Sequence, residues 1–469
     1  MKQKRIWWTS ILLFSACGSV LGQGAATWTV KPEWVRAHEE FLASDAMRGR
    51  GSATHDEEIT ATYVASEFRG YGLQPAPGTM GFLQVAGVVA PALDGQARLS
   101  AGNFSLHEAA DFDLVISPAL DARGTLVRVA YPDLKTAKIP QGAAVLLTGA
   151  PDPRTAFRAL DGLHRAGATM VLLPGTGAMA GTYARIGGHT RLPVHLADQP
   201  EQSHSAITVV QLHPASLAGL EALKDGTPVS LAVHEDRAAG KRSTYNAIGY
   251  LPGTDPAAGT ILLSAHLDHL GISVPVNGDA IYNGANDDAA GTTAVLELAH
   301  ALANGPRLRR SVLFVCYGSE EIGELGSTYF GEHPPVPLKS LVANLEFEMI
   351  GNQDPKMPPG VLLFTGWDRS NLGPTLKAHG ALLGPDPYPE QHFFERSDNY
   401  ALALKGVVAH TAAGWGTPPT YHQPSDDLAH LDLPFMTAAI QSLVEPVRWL
   451  ADSDFTPQWN TGGQPESAK

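Results

Sequence analysis

Short apolar runs alternate with stretches of helical periodicity in the second half of the chain. The runs have the length of buried strands and occupy residues 261–266, 311–317, 341–350 and 406–413. Apolar residues three and four positions apart, as on one face of a helix, recur in stretches that include residues 290–304 and 433–452. This alternation predicts an α/β fold with a mostly parallel central sheet flanked by helices. Sites in such sheets lie beyond the carboxyl ends of the strands.

Two further amphipathic patterns lie at residues 34–45 and 57–73, with a glycine-containing turn between them. Between residues 93 and 238 the pattern changes to short β-rich runs with one helical stretch at residues 155–167, which predicts an inserted β-rich α/β domain. This segment contains no clustered metal-ligand or nucleophile motif. The predicted divisions are a leader at 1–22, a first part of the main domain at 27–92, the insertion at 93–238, the rest of the main domain at 239–453 and a polar tail at 454–469.

The first residues have the features of an export signal. Three basic residues precede a mostly apolar stretch that ends at Phe14, and small residues follow. Two processing routes stay open. The residues before Cys17 resemble a bacterial lipobox, so Cys17 could carry a lipid anchor, whereas residues 20–22 offer an ordinary signal-peptidase site. Either route predicts an exported protein, in the periplasm, on the outer surface or secreted, with a membrane contact only through Cys17.

Charge, hydropathy and cysteine content argue against a nucleic-acid partner, a membrane span after the leader and an intrachain disulfide. The formal net charge of −14 argues against a nucleic-acid partner, which would require a basic face. After the leader no apolar tract is long enough to span a bilayer. Cys316 lies in an apolar run and is predicted to be a buried small side chain. Because the chain after the leader has no second cysteine, no intrachain disulfide is expected. Nothing in the sequence indicates an oligomeric state.

Residues of the kinds that bind metal ions follow one another through the strand-and-helix half of the chain. They are His266, Asp287, Glu321, Glu348 and His422. Most of them lie near glycines or small residues at strand ends, where the backbone can approach a cation. Two neutral imidazoles and three carboxylates suit a pair of zinc ions that share one carboxylate. Each residue alone has an ordinary explanation, such as a helix N-cap for Asp287. Glu320 and Glu321 are expected to begin a helix, where the helix dipole favours acidic residues. The joint pattern, with Glu320 beside one ligand as a general base, predicts metal-assisted hydrolysis.

The segments around these residues match a known family. HLDHLG at 266–271, GANDDAAG at 284–291, SEEIGELGS at 319–327, the strand that ends in MIG and YHQPSDD at 421–427 resemble the dizinc exopeptidases, which include bacterial secreted aminopeptidases and glutamate carboxypeptidase II. The resemblance covers residues 32–89 and 241–450 and implies the phosphorylase/hydrolase-like α/β fold of zinc exopeptidases. The segment at 141–175 resembles the protease-associated (PA) domain that many of these enzymes carry at this place.

The resemblance implies how the metal-type residues are shared between two zinc ions. Asp287 bridges both ions, His422 and Glu321 complete one site, and His266 and Glu348 complete the other. The family often has Asp where this chain has Glu348. Glu346 is a rival, since residues two apart on a strand face the same side.

Further roles follow from the same resemblance. Glu320 is the general base, and Tyr421 donates a hydrogen bond to the tetrahedral oxyanion. Asp268 orients His266, and Asp426 orients the other histidine. The peptide bond between Asp287 and Asp288 is expected to be cis. The remaining candidates are substrate-pocket residues: His269, Arg396, Ser397 and Asp398.

These residues predict an exported zinc aminopeptidase that removes N-terminal residues from peptides. Two alternatives stay open. A carboxypeptidase or dipeptidase of the same fold would anchor a different end of the peptide. A non-catalytic receptor or binding protein on this fold belongs to another class, although the intact Glu320 and the complete ligand set disfavour it. The preferred side chain at the cleaved end is not indicated by the sequence.

Overall fold

The structure is a computed structural model that describes residues 28–466, with gaps. The gaps are residues 91, 94–95, 119–120, 135, 150–155, 158, 181–182, 184–189, 191, 193, 200–206, 234 and 237–239. The predicted leader, with Cys17 and both processing sites, lies outside the described residues.

The helices and strands of the described residues follow the predicted alternation in the second half of the chain. The α-helices are Pro32–Leu42, His55–Gly70, Leu160–Arg165, Pro214–Glu221, Ala290–Ala303, Leu325–Glu332, Leu372–Ala378, Asn399–Ala403 and Leu433–Asp452. The strands are β1 Leu83–Val89, β2 Ala92–Leu93, β3 Arg98–Ala101, β4 Phe104–His107, β5 Phe112–Ile116, β6 Asp121–Ala130, β7 Ala143–Thr148, β8 Ala168–Pro174, β9 His195–Leu196, β10 Thr208–Leu212, β11 Pro228–Ala232, β12 Glu235–Asp236, β13 Lys241–Leu251, β14 Thr260–His266, β15 Gly271–Val276, β16 Asp279–Tyr282, β17 Ser311–Tyr317, β18 Leu341–Glu348, β19 Leu362–Phe364, β20 Leu383–Pro385 and β21 Ala409–Ala413.

The main sheet has nine strands among the described residues, in the order β20-β19-β21-β18-β14-β17-β13-β1-β9. The four central strands β21, β18, β14 and β17 run parallel, and the sheet becomes antiparallel where β19 pairs with β21 and β13 pairs with β17. Every residue of β14 and β17 is buried, as the unbroken apolar runs predict for strands covered on both faces. The predicted α/β fold is confirmed, with antiparallel strands added on either side of the parallel centre.

The helix Ala290–Ala303 is buried all round except at His300 and Ala303. It packs against β14, β17 and β18 on one side and against the helices Pro32–Leu42 and Leu433–Asp452 on the other. Because the sheet on one side and the two helices on the other both present apolar side chains, most positions of this helix are alanine, valine, leucine or threonine. The long helix Leu433–Asp452 begins where the Asp432 carboxylate accepts from the Phe435 N–H at 3.0 Å, an N-cap.

A second sheet of eight strands has the order β4-β3-β11-β6-β7-β8-β10-β5. All of its strands lie between Arg98 and Ala232, within the segment predicted as an inserted domain. It has its own apolar layers on the two faces, for example Leu126, Leu146 and Leu172 on one face and Val145, Val171 and Val209 on the other. The boundaries of this segment as a separate domain stay a prediction.

Two smaller expectations concern Cys316 and the membrane. Cys316 is fully buried in β17, as predicted for a small apolar side chain. Over the residues that the structure describes, no helix combines the length and the hydropathy that crossing a bilayer would require.

Glu39 gives the main domain a pH-dependent stability. Its side chain is fully buried, with Oε1 accepting from the Thr293 hydroxyl at 2.9 Å and Oε2 without a hydrogen-bond partner. Burial raises the pKa of Glu39 from 4.5 to about 8, although Thr293 and Arg50 lower it. The folded protein therefore keeps this proton while the unfolded chain releases it, and stability falls as pH rises from about 4.5 to about 8.

We expect Glu39→Gln to remove this dependence, because the amide keeps the shape and carries no proton to lose. The free energy of unfolding of the variant should gain on the wild type by up to roughly 1.4 kcal/mol per pH unit in that window. Denaturant unfolding at pH 5 and pH 8 measures the difference. The neighbouring Glu40→Gln is the control, since the Glu40 side chain is 55% exposed. Equal pH slopes for wild type and Glu39→Gln would contradict the account.

Candidate metal centre

The candidate ligands converge because they follow parallel strands. His266 is the last residue of β14 and Glu348 the last residue of β18. β17 ends at Tyr317, three residues before Glu320, and the segment after β21 carries His422. The carboxyl ends of parallel neighbouring strands meet at the same edge of a sheet. The side chains therefore lie together at that edge, as the sequence predicts.

One cluster contains His266, Asp287 and Glu348. His266 Nε2 lies 3.2 Å from Asp287 Oδ1 and 3.5 Å from Glu348 Oε1. The His266 side chain is fully buried and the Asp287 side chain is only 3% exposed. Glu348 is fixed on its other oxygen, where Oε2 accepts from the Ser397 hydroxyl at 2.7 Å.

The second cluster uses the other oxygen of Asp287. His422 Nε2 lies 3.2 Å from Asp287 Oδ2 and 3.2 Å from Glu321 Oε2. His269 approaches the same carboxylates, with Nδ1 2.7 Å from Glu321 Oε1 and 3.9 Å from Asp287 Oδ2. Asp287 thus joins the clusters through one oxygen each, the arrangement that a bridging carboxylate requires.

Several of these buried atoms make no hydrogen bond, although His266 Nε2 and His269 Nδ1 lie within ion-pair distance of carboxylate oxygens. They are His266 Nε2, both ring nitrogens of His269 and Glu321 Oε1. Buried polar atoms almost always make hydrogen bonds, so donor atoms that converge without them suit a cation between them. Nitrogen and carboxylate donors are those that zinc prefers, and the residues therefore fit a zinc centre. In the described part of the chain, two groupings could hold a metal ion: His266, Asp287 and Glu348, and His269, Asp287 and Glu321. Neither includes a residue from 93–238, and His422 joins the second grouping through its contacts with Asp287 and Glu321.

The histidines and the carboxylates of the two clusters shift one another's pKa values strongly. Burial alone would raise the pKa of Asp287, but His269, His266 and His422 hold it well below its ordinary value. Burial alone would lower the pKa of His422, but Glu321 and Asp287 raise it to about 10. The raised pKa values of His266 and His422 favour their protonated forms without a cation, so metal binding must displace those protons.

Asp268 supports the first cluster and the loop beyond β17. His266 Nδ1 lies 3.1 Å from the Asp268 carbonyl oxygen and 3.6 Å from its Oδ1. The carboxylate accepts from the N–H groups of Glu320 at 3.0 Å and Glu321 at 3.4 Å. These contacts are the ones that the expected role of Asp268 beside His266 requires, and they also fix the backbone of Glu320 and Glu321.

Asp426 acts on a different partner from the predicted one. Its two carboxylate oxygens accept from the N–H groups of Asn286 and Asp287, each at 3.0 Å. Asp426 therefore orients the loop that carries Asp287 rather than His422. The prediction that Asp426 orients His422 rests on their closeness in the sequence. Only the fold shows that the Asp426 carboxylate faces the loop that carries Asp287.

The glutamates at the end of β18 are distinguished by their partners. Glu348 faces the cluster, whereas Glu346 is fully buried and accepts from the Ser397 hydroxyl at 3.0 Å, the Thr411 hydroxyl at 3.3 Å and the Asn399 N–H. The geometry thus favours Glu348 over Glu346 as the ligand, as predicted.

The loop before Asp287 approaches the cluster closely. Gly284 has a φ of +60°, and a Cβ there would lie 2.3 Å from the Asp287 carbonyl oxygen and 2.5 Å from His269 Cγ. Only glycine fits such a position without displacing the loop. The peptide bond between Asp287 and Asp288 is cis, as the resemblance implied.

Glu320 and Tyr421 lie beside the clusters as predicted for a base and a hydrogen-bond donor. Burial raises the pKa of Glu320 well above its usual range; His266 lowers it, and Glu321 and Glu348 raise it further. Burial also raises the pKa of Tyr421, so its hydroxyl keeps its proton. The Tyr421 ring stacks on His422 with ring centroids 3.9 Å apart.

The expectation that Glu320 and Glu321 begin a helix is wrong. The helix begins at Leu325, and Ser319 and Glu324 both have positive φ, of 56° and 54°. The N–H groups of Glu320 and Glu321 are held by Asp268 instead of a helical turn. The loop conformation turns both glutamates toward the metal-type residues.

A cavity that is partly open to solvent lies next to the first cluster. Its lining includes Glu348, Tyr421, Met349, Phe393, Arg396 and Ser397. Arg396 is exposed, and its guanidinium lies 5.2 Å from the Phe393 ring centroid. Two of the predicted pocket residues, Arg396 and Ser397, therefore line this cavity. His269 lies instead in the second cluster, and Asp398 is fully buried and does not line the cavity.

The comparisons with known proteins agree with this geometry. Residues 246–445 match the model of peptidase family M28. Over 215 residues, 38% of this chain and 40% of the relative, the sequence is 28% identical to a probable lipoprotein aminopeptidase, LpqL, of Mycobacterium tuberculosis. It is 30% identical to leupeptin-inactivating enzyme 1 of Streptomyces exfoliatus over 165 residues, 35% of this chain and 34% of the relative. The chain thus matches well under half the length of these relatives.

The fold is shared with solved structures. A zinc aminopeptidase from Bacillus subtilis, BSAP, superposes with a TM-score of 0.57 and 18% identity, covering 90% of this chain and 95% of that one. An aminopeptidase from Aneurinibacillus sp. strain AM-1 gives a TM-score of 0.56 at 18% identity, covering 90% of this chain and 94% of that one. At this identity the likeness shows the fold alone.

Proposed function

Since residues 246–445 match the model of peptidase family M28, we propose that the protein is a zinc-dependent exopeptidase that acts as an aminopeptidase. The observation that carries the proposal is the pair of buried clusters that share Asp287, with converging nitrogen and oxygen atoms and with Glu320 beside them. A relative in Mycobacterium tuberculosis is named a probable lipoprotein aminopeptidase, which supports the same activity here.

The residues fit two zinc ions in this way. Asp287 would hold both ions, His266 and Glu348 would complete one site, and His422 and Glu321 would complete the other. His269, 2.7 Å from Glu321 Oε1, orients that carboxylate. When bound, the zinc ions supply an acidified water and polarise the scissile carbonyl.

Proton transfer belongs to Glu320. Its N–H is fixed by Asp268 and its carboxylate belongs to neither ligand cluster, so this side chain is free to take a proton from the attacking water and return it to the leaving amine. Tyr421 stays protonated and donates its hydrogen to the oxyanion that forms on the substrate. Glu348 and the cavity beside it receive the residue that is cleaved.

The charges around the cavity bear on which end of the peptide binds. Glu320 and Glu348 can hold a free amine, which supports an aminopeptidase. Arg396 on the cavity wall is the residue that favours the alternative, because a cation there can hold a terminal carboxylate, as a carboxypeptidase or dipeptidase requires.

Blocking one end of a peptide at a time tests the choice. We expect N-terminal acetylation of a short peptide to abolish hydrolysis, because the blocked amine loses its contacts with the carboxylates, whereas C-terminal amidation leaves cleavage within a few-fold. Mass spectrometry of the products measures both. Loss of cleavage on amidation alone would point to the carboxypeptidase. A zinc-loaded protein that cleaves no peptide would favour the binding-protein alternative.

The remaining parts of the chain have supporting roles in the proposal. The segment at 93–238 is a PA-like domain, supported by its own sheet and by the resemblance at 141–175. The protein is exported, supported by the basic and apolar leader. Mass spectrometry of the mature protein should find either a lipidated Cys17 or an N-terminus at Gln23. An intact Met1 in cells would contradict export.

A further inference from the structure

The turn between the first two long helices, together with the start of the second, contacts three of the loops that carry candidate ligands or the proposed base. This turn, residues 50–57, lies outside residues 246–445, the part of the chain that matches the peptidase family. The contacted loops are 267–270 after β14, 283–289 before the helix Ala290–Ala303 and 318–324 after β17. Three buried side chains of the turn make the contacts: Arg50, Ser52 and Glu57.

Arg50 is the largest fully buried side chain of the described residues, at 0% exposure. Its guanidinium donates to four backbone carbonyls: Nε to Leu267 at 2.9 Å, Nη1 to Leu42 at 2.7 Å and to Asn283 at 2.6 Å, and Nη2 to Gly284 at 2.8 Å. Leu267 directly follows His266, and Gly284 lies three residues before Asp287. One side chain thus ties the loops of both ligands to the end of the first helix.

Ser52 acts on the next residue of the same loop. Its hydroxyl donates to Asp268 Oδ2 at 2.6 Å. The backbone of the turn also pairs with the loop, since the His269 N–H donates to the Arg50 carbonyl at 3.0 Å and the Ser52 N–H donates to the His269 carbonyl at 3.2 Å. Asp268 is therefore held from one side by the turn, and from its other side holds Glu320 and Glu321.

Glu57 completes the contacts at the third loop. Its Oε2 accepts from the Ser319 hydroxyl at 2.9 Å, directly before Glu320, and from the Ala53 N–H at 2.6 Å. Its Oε1 accepts from the Thr244 hydroxyl and the Tyr245 N–H on β13, each at 2.8 Å. The glutamate anchors the loop to the sheet through the turn.

We propose that Arg50 and Ser52 are positioning residues for the metal centre, which hold the His266, Asp287 and Glu320–Glu321 loops in the geometry that binds metal. The inference rests on the proposed zinc centre. A guanidinium carries five donors in a fixed planar arrangement, so it can bind four carbonyls on three segments at once. Its charge also lies among the carboxylates of the site, where it offsets their repulsion before any cation binds.

Arg50→Lys tests the geometry while keeping the charge. An ammonium has three donors from one point and cannot reach all the carbonyls that the guanidinium binds. We expect zinc affinity, measured by competition with a chromophoric chelator, to fall by roughly 10- to 100-fold, the range known for residues that orient metal ligands. We also expect the visible spectrum of the cobalt-loaded protein to change, because the ligand geometry changes.

Arg310→Lys is the matched control. Arg310 is 2% exposed and donates to the carbonyls of Ala258 at 3.0 Å, Leu450 at 2.9 Å and Phe455 at 2.7 Å, away from the metal-type residues. Like Arg50, it is buried and donates to several backbone carbonyls, but none of these carbonyls belongs to a loop that carries a candidate ligand. Both substitutions should lower the melting temperature of the metal-free protein, and only Arg50→Lys should lower zinc affinity and alter the cobalt spectrum.

Each result decides the proposal. A folded Arg50→Lys with wild-type affinity and spectrum, or an Arg310→Lys with an equal loss of affinity, overturns it. If Arg50→Lys does not fold, Ser52→Ala decides by the same two measurements, since it removes one hydroxyl beside Asp268 and leaves the core intact. Unchanged affinity and spectrum there overturn the proposal. A wild type that binds no zinc overturns the proposed function itself, and the wild-type titration alone identifies that case.

Discussion

Glu320→Gln should lower the turnover number by roughly two or more orders of magnitude while the protein keeps its zinc. The amide preserves the size of the side chain and the Glu320 N–H bond to Asp268, but it cannot accept the proton of the attacking water. Since Glu320 belongs to neither ligand cluster, its loss removes a reaction step and leaves the metal sites in place. Steady-state kinetics on a free-amine peptide and zinc analysis of the same sample measure both quantities.

Glu324→Gln is the control for this prediction. Glu324 belongs to the same loop, and burial raises its pKa to about 8, but it faces Asp398 and Glu348 from outside both clusters. We expect its turnover to stay within a few-fold of the wild type. If Glu320→Gln keeps most of its activity, another group takes the proton and the assignment of the base is wrong. If it loses zinc, Glu320 is a ligand.

Asp287→Ala should empty both metal sites at once. Asp287 places Oδ1 3.2 Å from His266 Nε2 and Oδ2 3.2 Å from His422 Nε2, so it is the carboxylate shared by the clusters. Removing it takes one ligand from each site. His266 then keeps only Glu348 as a nearby ligand carboxylate, and His422 keeps only Glu321. We expect the zinc content to fall from about two ions per chain to well below one, and the peptidase activity with it. Glu348→Ala, which removes a ligand of one site, should lose about one ion.

Two substitutions separate loss of a ligand from general damage to the site. Asp288→Asn changes the adjacent buried residue, whose Oδ1 accepts from the N–H groups of Gly291 and Met349, each at 2.9 Å. An asparagine oxygen can accept both bonds, so this variant should keep its zinc. Glu346→Gln should also keep both ions. A Glu346 variant that loses zinc while Glu348→Ala retains it would place the fifth ligand at Glu346.

The convergence of the ligands was predictable because it depends on strands that the sequence marks clearly. His266 and Glu348 end unbroken apolar runs, and Glu321 follows another, so a parallel sheet must bring them to one edge. The choice of Glu348 over Glu346 was open in the sequence, since both face one side of the strand. The Thr411 hydroxyl and the Asn399 N–H, which bind Glu346, distinguish them, since the Ser397 hydroxyl lies within hydrogen-bond distance of both glutamates.

What could not be predicted depends on contacts between distant segments. A basic residue in a glycine-containing turn is expected to be exposed, yet Arg50 is fully buried, and three of its four carbonyl partners lie more than two hundred residues further along the chain. The same reason explains Asp426, whose carboxylate meets a loop 139 residues away. The sequence predicts His269 in the substrate pocket, whereas in the structure its Nδ1 lies 2.7 Å from Glu321 Oε1.

The expected helix start at Glu320 is absent for a local reason that the sequence does not reveal, since the helix begins at Leu325. Acidic residues are typical of a first helical turn. Here Ser319 and Glu324 take positive φ, and Asp268 holds the N–H groups that a helix start would leave free. The roles of the individual site residues and the boundaries of the inserted domain stay predictions.

The zinc content of the purified protein tests the central claim most directly. We predict close to two zinc ions per chain by elemental analysis, a loss of peptidase activity when a chelator removes them and its return when zinc is restored. The physical basis is the pair of clusters that share Asp287 and hold buried, converging nitrogen and oxygen atoms. A protein that hydrolyses peptides at its full rate after exhaustive removal of metal would contradict the account.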